Sequence, residues 1–109
     1  MAGKQEVETI GQLDGVVEAT LCGPGGELLE SSSAHPELGP TAASLGQALR
    51  DLQASLPMLN DPVSITIEGK QGALHVTQLP DAMLIVSTEP DTNLGVLRLE
   101  IRQALQAEA

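Results

Sequence analysis

The sequence predicts an α+β fold on an antiparallel sheet, with elements in the order α-β-β-α-β-β-β-α. Three observations lead there. Residues 63–68 alternate apolar and polar side chains, as a half-buried strand does, and residues 82–86 form a continuous apolar run. The links Gly23-Pro24-Gly25-Gly26, Gly69-Lys70-Gln71-Gly72 and Leu79-Pro80-Asp81 are too short for the crossover a parallel pair needs. Beyond Asp91 the period becomes helical, through Leu94, Leu97, Ile101 and Leu105.

From the N-terminus, residues 4–12 form a short amphipathic helix with Val7, Ile10 and Leu13 near one face, ended by Gly11 and Asp14-Gly15. Residues 16–22 form a strand with Val17, Ala19 and Leu21 on one side. The glycine-rich turn follows, and residues 27–31 return to make a hairpin. A polar connection spans 31–40. Thr41 then offers an N-cap for a helix that reaches Leu56, where Pro57 stops it. Leu45, Leu49, Leu52 and Leu56 make a stripe on this central helix that suits a core or an interface, with the small residues Ala42 and Gly46 beside it. Residues 58–61 form a loop, and Pro62 introduces the strand at 63–68. Residues 73–77 make the next strand, 82–86 the last one, and Asp91 or Asn93 caps the final helix. No solenoid period or low-complexity tail interrupts what is expected to be one domain over 1–109.

Composition excludes several function classes. There is no Phe, Tyr or Trp, so base stacking, sugar stacking and cation–π cages have no rings to use. The formal net charge is −10 with five basic residues, and Lys4, Arg50, Lys70, Arg98 and Arg102 are widely scattered along the chain. Nucleic acid and anionic membrane surfaces are therefore not expected partners. No apolar run approaches the ~18 residues of a membrane span, no signal-peptide core is visible at the N-terminus, and one cysteine cannot form an internal disulfide. A cytoplasmic protein is the expectation.

No chemistry stands out. A phosphate-binding G-x-x-x-x-G-K-[ST] loop is absent. His35 and His75 are far apart and lack Cys or carboxylate partners at ligand spacing, and His75 reads as a half-exposed strand residue. Cys22 reads as inert packing. Ser31-Ser32-Ser33 near His35 has no nucleophile elbow. The acidic residues form no calcium loop. The expectation is a protein without catalytic, metal or cofactor sites.

Strand 63–68 is strongly β-forming and has no charge before Glu68. At a sheet edge it would expose unpaired backbone groups, which the same strand of a second copy could satisfy about a two-fold axis. A central position for the strand is equally compatible with the residues. The candidate dimer surface comprises Ala42, Leu45, Gly46, Leu49, Leu52, Val63, Ile65 and Ile67. Leu45, Leu49 and Leu52 could serve the dimer, the core or both.

The order of elements and a set of spaced segments resemble the Roadblock (dynein light-chain) family, in its bacterial stand-alone branch. These segments are Leu13-Asp14-Gly15-Val16-Val17-Glu18-Ala19, Gly25-Gly26, Leu74-His75-Val76, Leu79-Pro80-Asp81, Met83-Leu84-Ile85-Val86 and Asn93-Leu94-Gly95-Val96-Leu97-Arg98. Together they cover roughly residues 6 to 107. The resemblance implies an α/β sandwich, with a five-stranded antiparallel sheet, the central helix on one face and the terminal helices on the other. It also implies a homodimer through the central helix and third strand, and a non-catalytic role as regulator or scaffold of a small Ras-like GTPase. Gly25-Gly26 stands where an Asp-Gly pair is typical. The long C-terminal extension of some GTPase-activating members is missing, so GTPase binding is expected ahead of direct activation.

On the central helix, Ser44, Gln47, Arg50 and Asp51 are the candidate partner-binding residues. Arg50 and Arg98 invite comparison with an arginine finger, and a solvated helix-face residue is the better reading of Arg50. Two alternatives remain: a structural adaptor without a GTPase partner, and a small-molecule sensor, which would need a pocket with polar anchors.

Overall fold

In the computed structural model, residues 3–23, 27–33, 39–56, 64–79 and 82–106 are described. The elements run α1 (Lys4–Gly11), β1 (Val16–Cys22), β2 (Leu28–Ser31), α2 (Gly39–Ser55), β3 (Ser64–Gly69), β4 (Gly72–Gln78), β5 (Met83–Thr88) and α3 (Leu94–Gln106). All five strands join one sheet in the order β2-β1-β5-β4-β3, and every neighbouring pair is antiparallel. This is the α+β order the sequence predicts. Hairpins supply β1–β2, β3–β4 and β4–β5, while β1–β5 joins the two halves of the chain.

The helices divide between the faces as expected. Val7 and Ile10 of α1 and Leu97 and Ile101 of α3 bury against Ala19, Leu21, Leu84 and Val86. On the opposite face Leu49 of α2 meets Cys22, Val76, Met83 and Ile85. β5 is apolar throughout its first four residues because both of its faces are covered. Each fully buried Leu, Ile or Val contributes about 1.5–3 kcal/mol relative to exposure.

Local chemistry sets the element ends. The Glu6 carboxylate accepts from the Gly3 N–H at 3.0 Å, closing the first turn of α1. Asn93 caps α3, its Oδ1 accepting from the Val96 N–H at 3.1 Å. Asp91 instead occupies a left-handed turn position, with φ at 68°. In the β3–β4 turn Gly72 has φ at 144°, and a Cβ there would run into the Thr88 carbonyl oxygen. The Gly23 N–H donates to the Glu27 carbonyl at 2.8 Å across the first hairpin. Residues 24–26, His35, residues 57–63 and Pro80-Asp81 lie outside the described residues.

Three expectations are corrected. Val17 does not share a side with Ala19 and Leu21: it is 60% exposed, and Val16 packs beside the core in its place. The cause is a bulge, since Val16 pairs with Thr88 and Glu18 with Ser87, leaving Val17 as the extra residue. α2 starts at Gly39, so Thr41 lies within the helix and is not its N-cap. Pro40 is admissible there because first-turn N–H groups have no intrahelical partner. His75 is not half-exposed but 4% exposed.

Candidate functional site

β3 lies at the edge of the sheet, pairing with β4 from Ser64↔Thr77 to Gly69↔Gly72 and with no other described strand. An edge strand presents alternate N–H and C=O groups outward without partners. Ile65 is half-buried against the α2 side of the core, and Ile67, two residues on and therefore on the same face, is 48% exposed. Leu74, the cross-strand partner of Ile67, is also only partly buried. Among the described residues the α2 face is thus left open toward the β3 edge.

The leucine stripe of α2 divides along its length. Leu49 is sealed into the core and Leu45 is partly buried beside it, while Leu52 and Leu56 are each 39% exposed. The helix therefore uses the stripe both for the core and for surface. Ser44, Gln47 and Asp51 are exposed on the side of α2 away from Leu49, and the Gln47 amide donates to Asp51 Oδ1 at 2.9 Å. Ala42, Gly46 and Arg50 belong to α2, but their side-chain environments, like Val63, lie outside the described residues.

Other titratable groups are inside. Glu18 is buried on the α2 face, where its carboxylate accepts from Thr20 Oγ1 at 2.6 Å. Burial, then the nearby charges of Glu27 and Glu18, push the Cys22 thiol pKa up, which keeps it in the unreactive protonated form. His75 shares a 2.8 Å hydrogen bond between Nδ1 and Thr66 Oγ1. Its pKa is held below the ordinary value by burial and then by Arg98. Among the described residues, no group of three His, Cys, Asp or Glu is placed to hold a metal ion, and no helix is long and apolar enough to cross a membrane.

The fold itself is shared with known proteins. An MglB solved in a tetrameric arrangement matches 94% of this chain and 82% of its own, at 21% identity and a TM-score of 0.78. The Roadblock/LC7 domain from Streptomyces avermitilis matches 94% of both chains, at 19% identity and a TM-score of 0.70. This is the Roadblock/LC7 fold. The Roadblock architecture also lies near that of profilin: profilin II of Acanthamoeba castellanii matches 94% of this chain and 93% of its own, at 16% identity and a TM-score of 0.69. No protein-family model matches the chain, and no curated protein matches its sequence. With profilin this near, shape alone does not single out a Roadblock role.

The sequence reading missed one gathering of residues. Arg98 and Arg102, treated above as scattered, line one pocket with His75 under α3. Their spacing of four within a helical stretch was the available signal. Nothing local could place His75 beside them.

Proposed function

We propose that residues 1–109 form one Roadblock-type domain that acts without catalysis, as a homodimeric regulator or scaffold for a small Ras-like GTPase. The observation that carries the reading is the β3 edge, which pairs with no described strand but β4, together with the exposed Ile67 and Leu52 on the α2 face. In the proposed dimer the β3 strands of two copies pair about a two-fold axis, with Val63, Ile65 and Ile67 at the seam. Leu52, the partly buried Leu45 and the small residues Ala42 and Gly46 of the two α2 helices meet over it, and Leu49 supports them from the core. The tetrameric MglB of like fold is in keeping with self-association. The GTPase comes from the family resemblance of the sequence.

Ser44, Gln47, Arg50 and Asp51 form the proposed partner contact. Such a platform would favour one switch conformation of the GTPase and shift its population, to the extent that it binds the two conformations unequally. The test is a pull-down from native lysate with the tagged protein, run in parallel with GTPγS and with GDP, and read by mass spectrometry. A Ras-like GTPase enriched under one nucleotide supports the reading and gives its direction. Capture of another protein regardless of nucleotide, with no GTPase, would replace it with the adaptor reading.

A further inference from the structure

A pocket of about 160 Å³ lies between β3–β4 and α3, on the face of the sheet opposite α2. Arg98 and Arg102 reach it from successive turns of α3, Ser64 and Thr77 from a cross-strand pair, and His75 from beneath, while Ile101 walls it with apolar surface. This is an unusual place in a chain with 15 acidic residues and 5 Lys or Arg. Two of those five line the pocket, and no carboxylate does among the described residues. Among the described residues neither guanidinium is engaged in a hydrogen bond or ion pair, so their donors are available. The His75 ring is 4% exposed, and its Nε2 has only a long contact of 3.4 Å with Thr77 Oγ1.

The geometry points to a binding site for one phosphate group, free or as the phosphomonoester of a small molecule, held by Arg98 and Arg102 with Ser64, Thr77 and His75 completing the donor set. Two guanidiniums four residues apart on a helix offer planar donor forks to a tetrahedral dianion, the geometry in which arginine excels. The hydroxyls of Ser64 and Thr77 can turn their protons toward the anion. His75 becomes a further donor by taking up a proton, which a dianion nearby favours and which Arg98 and burial oppose in the empty pocket. The pocket volume of about 160 Å³ suits a single phosphate group. The strongly negative whole-molecule field likewise selects for a small ligand with close contacts over an extended polyanion. This site does not depend on the GTPase or the dimer.

The test is an NMR titration of the folded protein with sodium phosphate and, separately, glycerol 3-phosphate, at fixed pH and with ionic strength balanced by sodium chloride. Saturable shifts of the Arg98 and Arg102 side-chain N–H signals are expected, with a rise in the His75 pKa in the loaded state. Arg98→Gln and Arg102→Gln remove exposed groups from a helix, so the fold should persist and be visible in unchanged core signals. Each should weaken binding about tenfold or more, the loss of one charged hydrogen-bonding partner. Saturation with the ester alone would make the source a phosphomonoester, and saturation with both a free phosphate-sized group. Linear shifts that sodium acetate reproduces at equal ionic strength, or saturable shifts unchanged in the Arg98→Gln/Arg102→Gln variant, would overturn the site.

Discussion

On the sheet face covered by α1 and α3, eight buried residues from four elements close a continuous core. On the face covered by α2, Leu49 is the one buried core residue that the helix contributes among the described residues, and Leu52, Leu56 and Ile67 stay substantially exposed. The first face is completed by its own chain. Among the described residues the second is less complete, and it ends at β3, which pairs with no described strand but β4. Two helices side by side bury the flanks they turn to each other and cover more of the sheet. One helix about 10 Å across cannot span five strands about 4.8 Å apart. That exposed part is the surface on which the proposed dimer would form.

The largest test of this difference is a matched truncation on the two faces. Ile101→Ala should lower the unfolding free energy by about 2–5 kcal/mol, through lost burial and the cavity left behind. Leu52→Ala should cost about 1 kcal/mol or less in a dilute, monomeric sample, as expected of an exposed position. Urea unfolding measures both, and comparable losses would mean that the faces are equally finished.

Self-association provides the next contrast. Ile67→Lys places a charge at the β3 edge, a device that blunts strand pairing. Sedimentation equilibrium should show a dimer weakened about tenfold or more, given the apolar burial an isoleucine can supply, while the monomer remains folded. An undiminished dimer would move the interface away from β3.

His75 lies under the closed face, and pH reads that closure. The unfolded imidazole protonates near its ordinary value of 6.5, whereas the folded one resists until a lower pH. Between those values the unfolded chain binds more protons, so stability is fully present above 6.5 and falls as the solution is acidified through this window. Urea unfolding at about pH 7 and about pH 5.5 should show this fall, and His75→Gln should flatten it. An equal slope in the variant would assign the dependence to other groups.

The smallest effect belongs to the outer side of α2. Asp51→Ala removes only the exposed Gln47 contact and should change stability by about 0.5 kcal/mol or less. Any larger loss of partner binding would then report recognition rather than folding.

Much of the fold was legible before the structure, for local reasons. Short turns dictated antiparallel neighbours, and the apolar run at 82–86 marked the last strand. The misreadings and the points the sequence left open share a physical origin. Nothing in Val16-Val17-Glu18 shows which valine is the bulge, because the bulge is settled by pairing with β5. The stripe from Leu45 to Leu56 is one pattern in sequence, yet its burial depends on how far the sheet reaches beneath α2. Asn93 and Asp91 were equally good caps in sequence, and the fold places Asn93 at the cap with Asp91 in a left-handed turn before it.

By itself the sequence determined the type and order of the elements, the antiparallel hairpins and the absence of aromatic recognition. These follow from side-chain periodicity, turn length and composition, which act over a few residues. Only the tertiary structure decided that β3 lies at the edge of the described sheet, that Leu49 is buried while Leu52 and Leu56 stay exposed, and that His75 sits beneath Arg98 and Arg102. Those outcomes depend on strand order and on contacts between elements distant in sequence, where no local propensity operates.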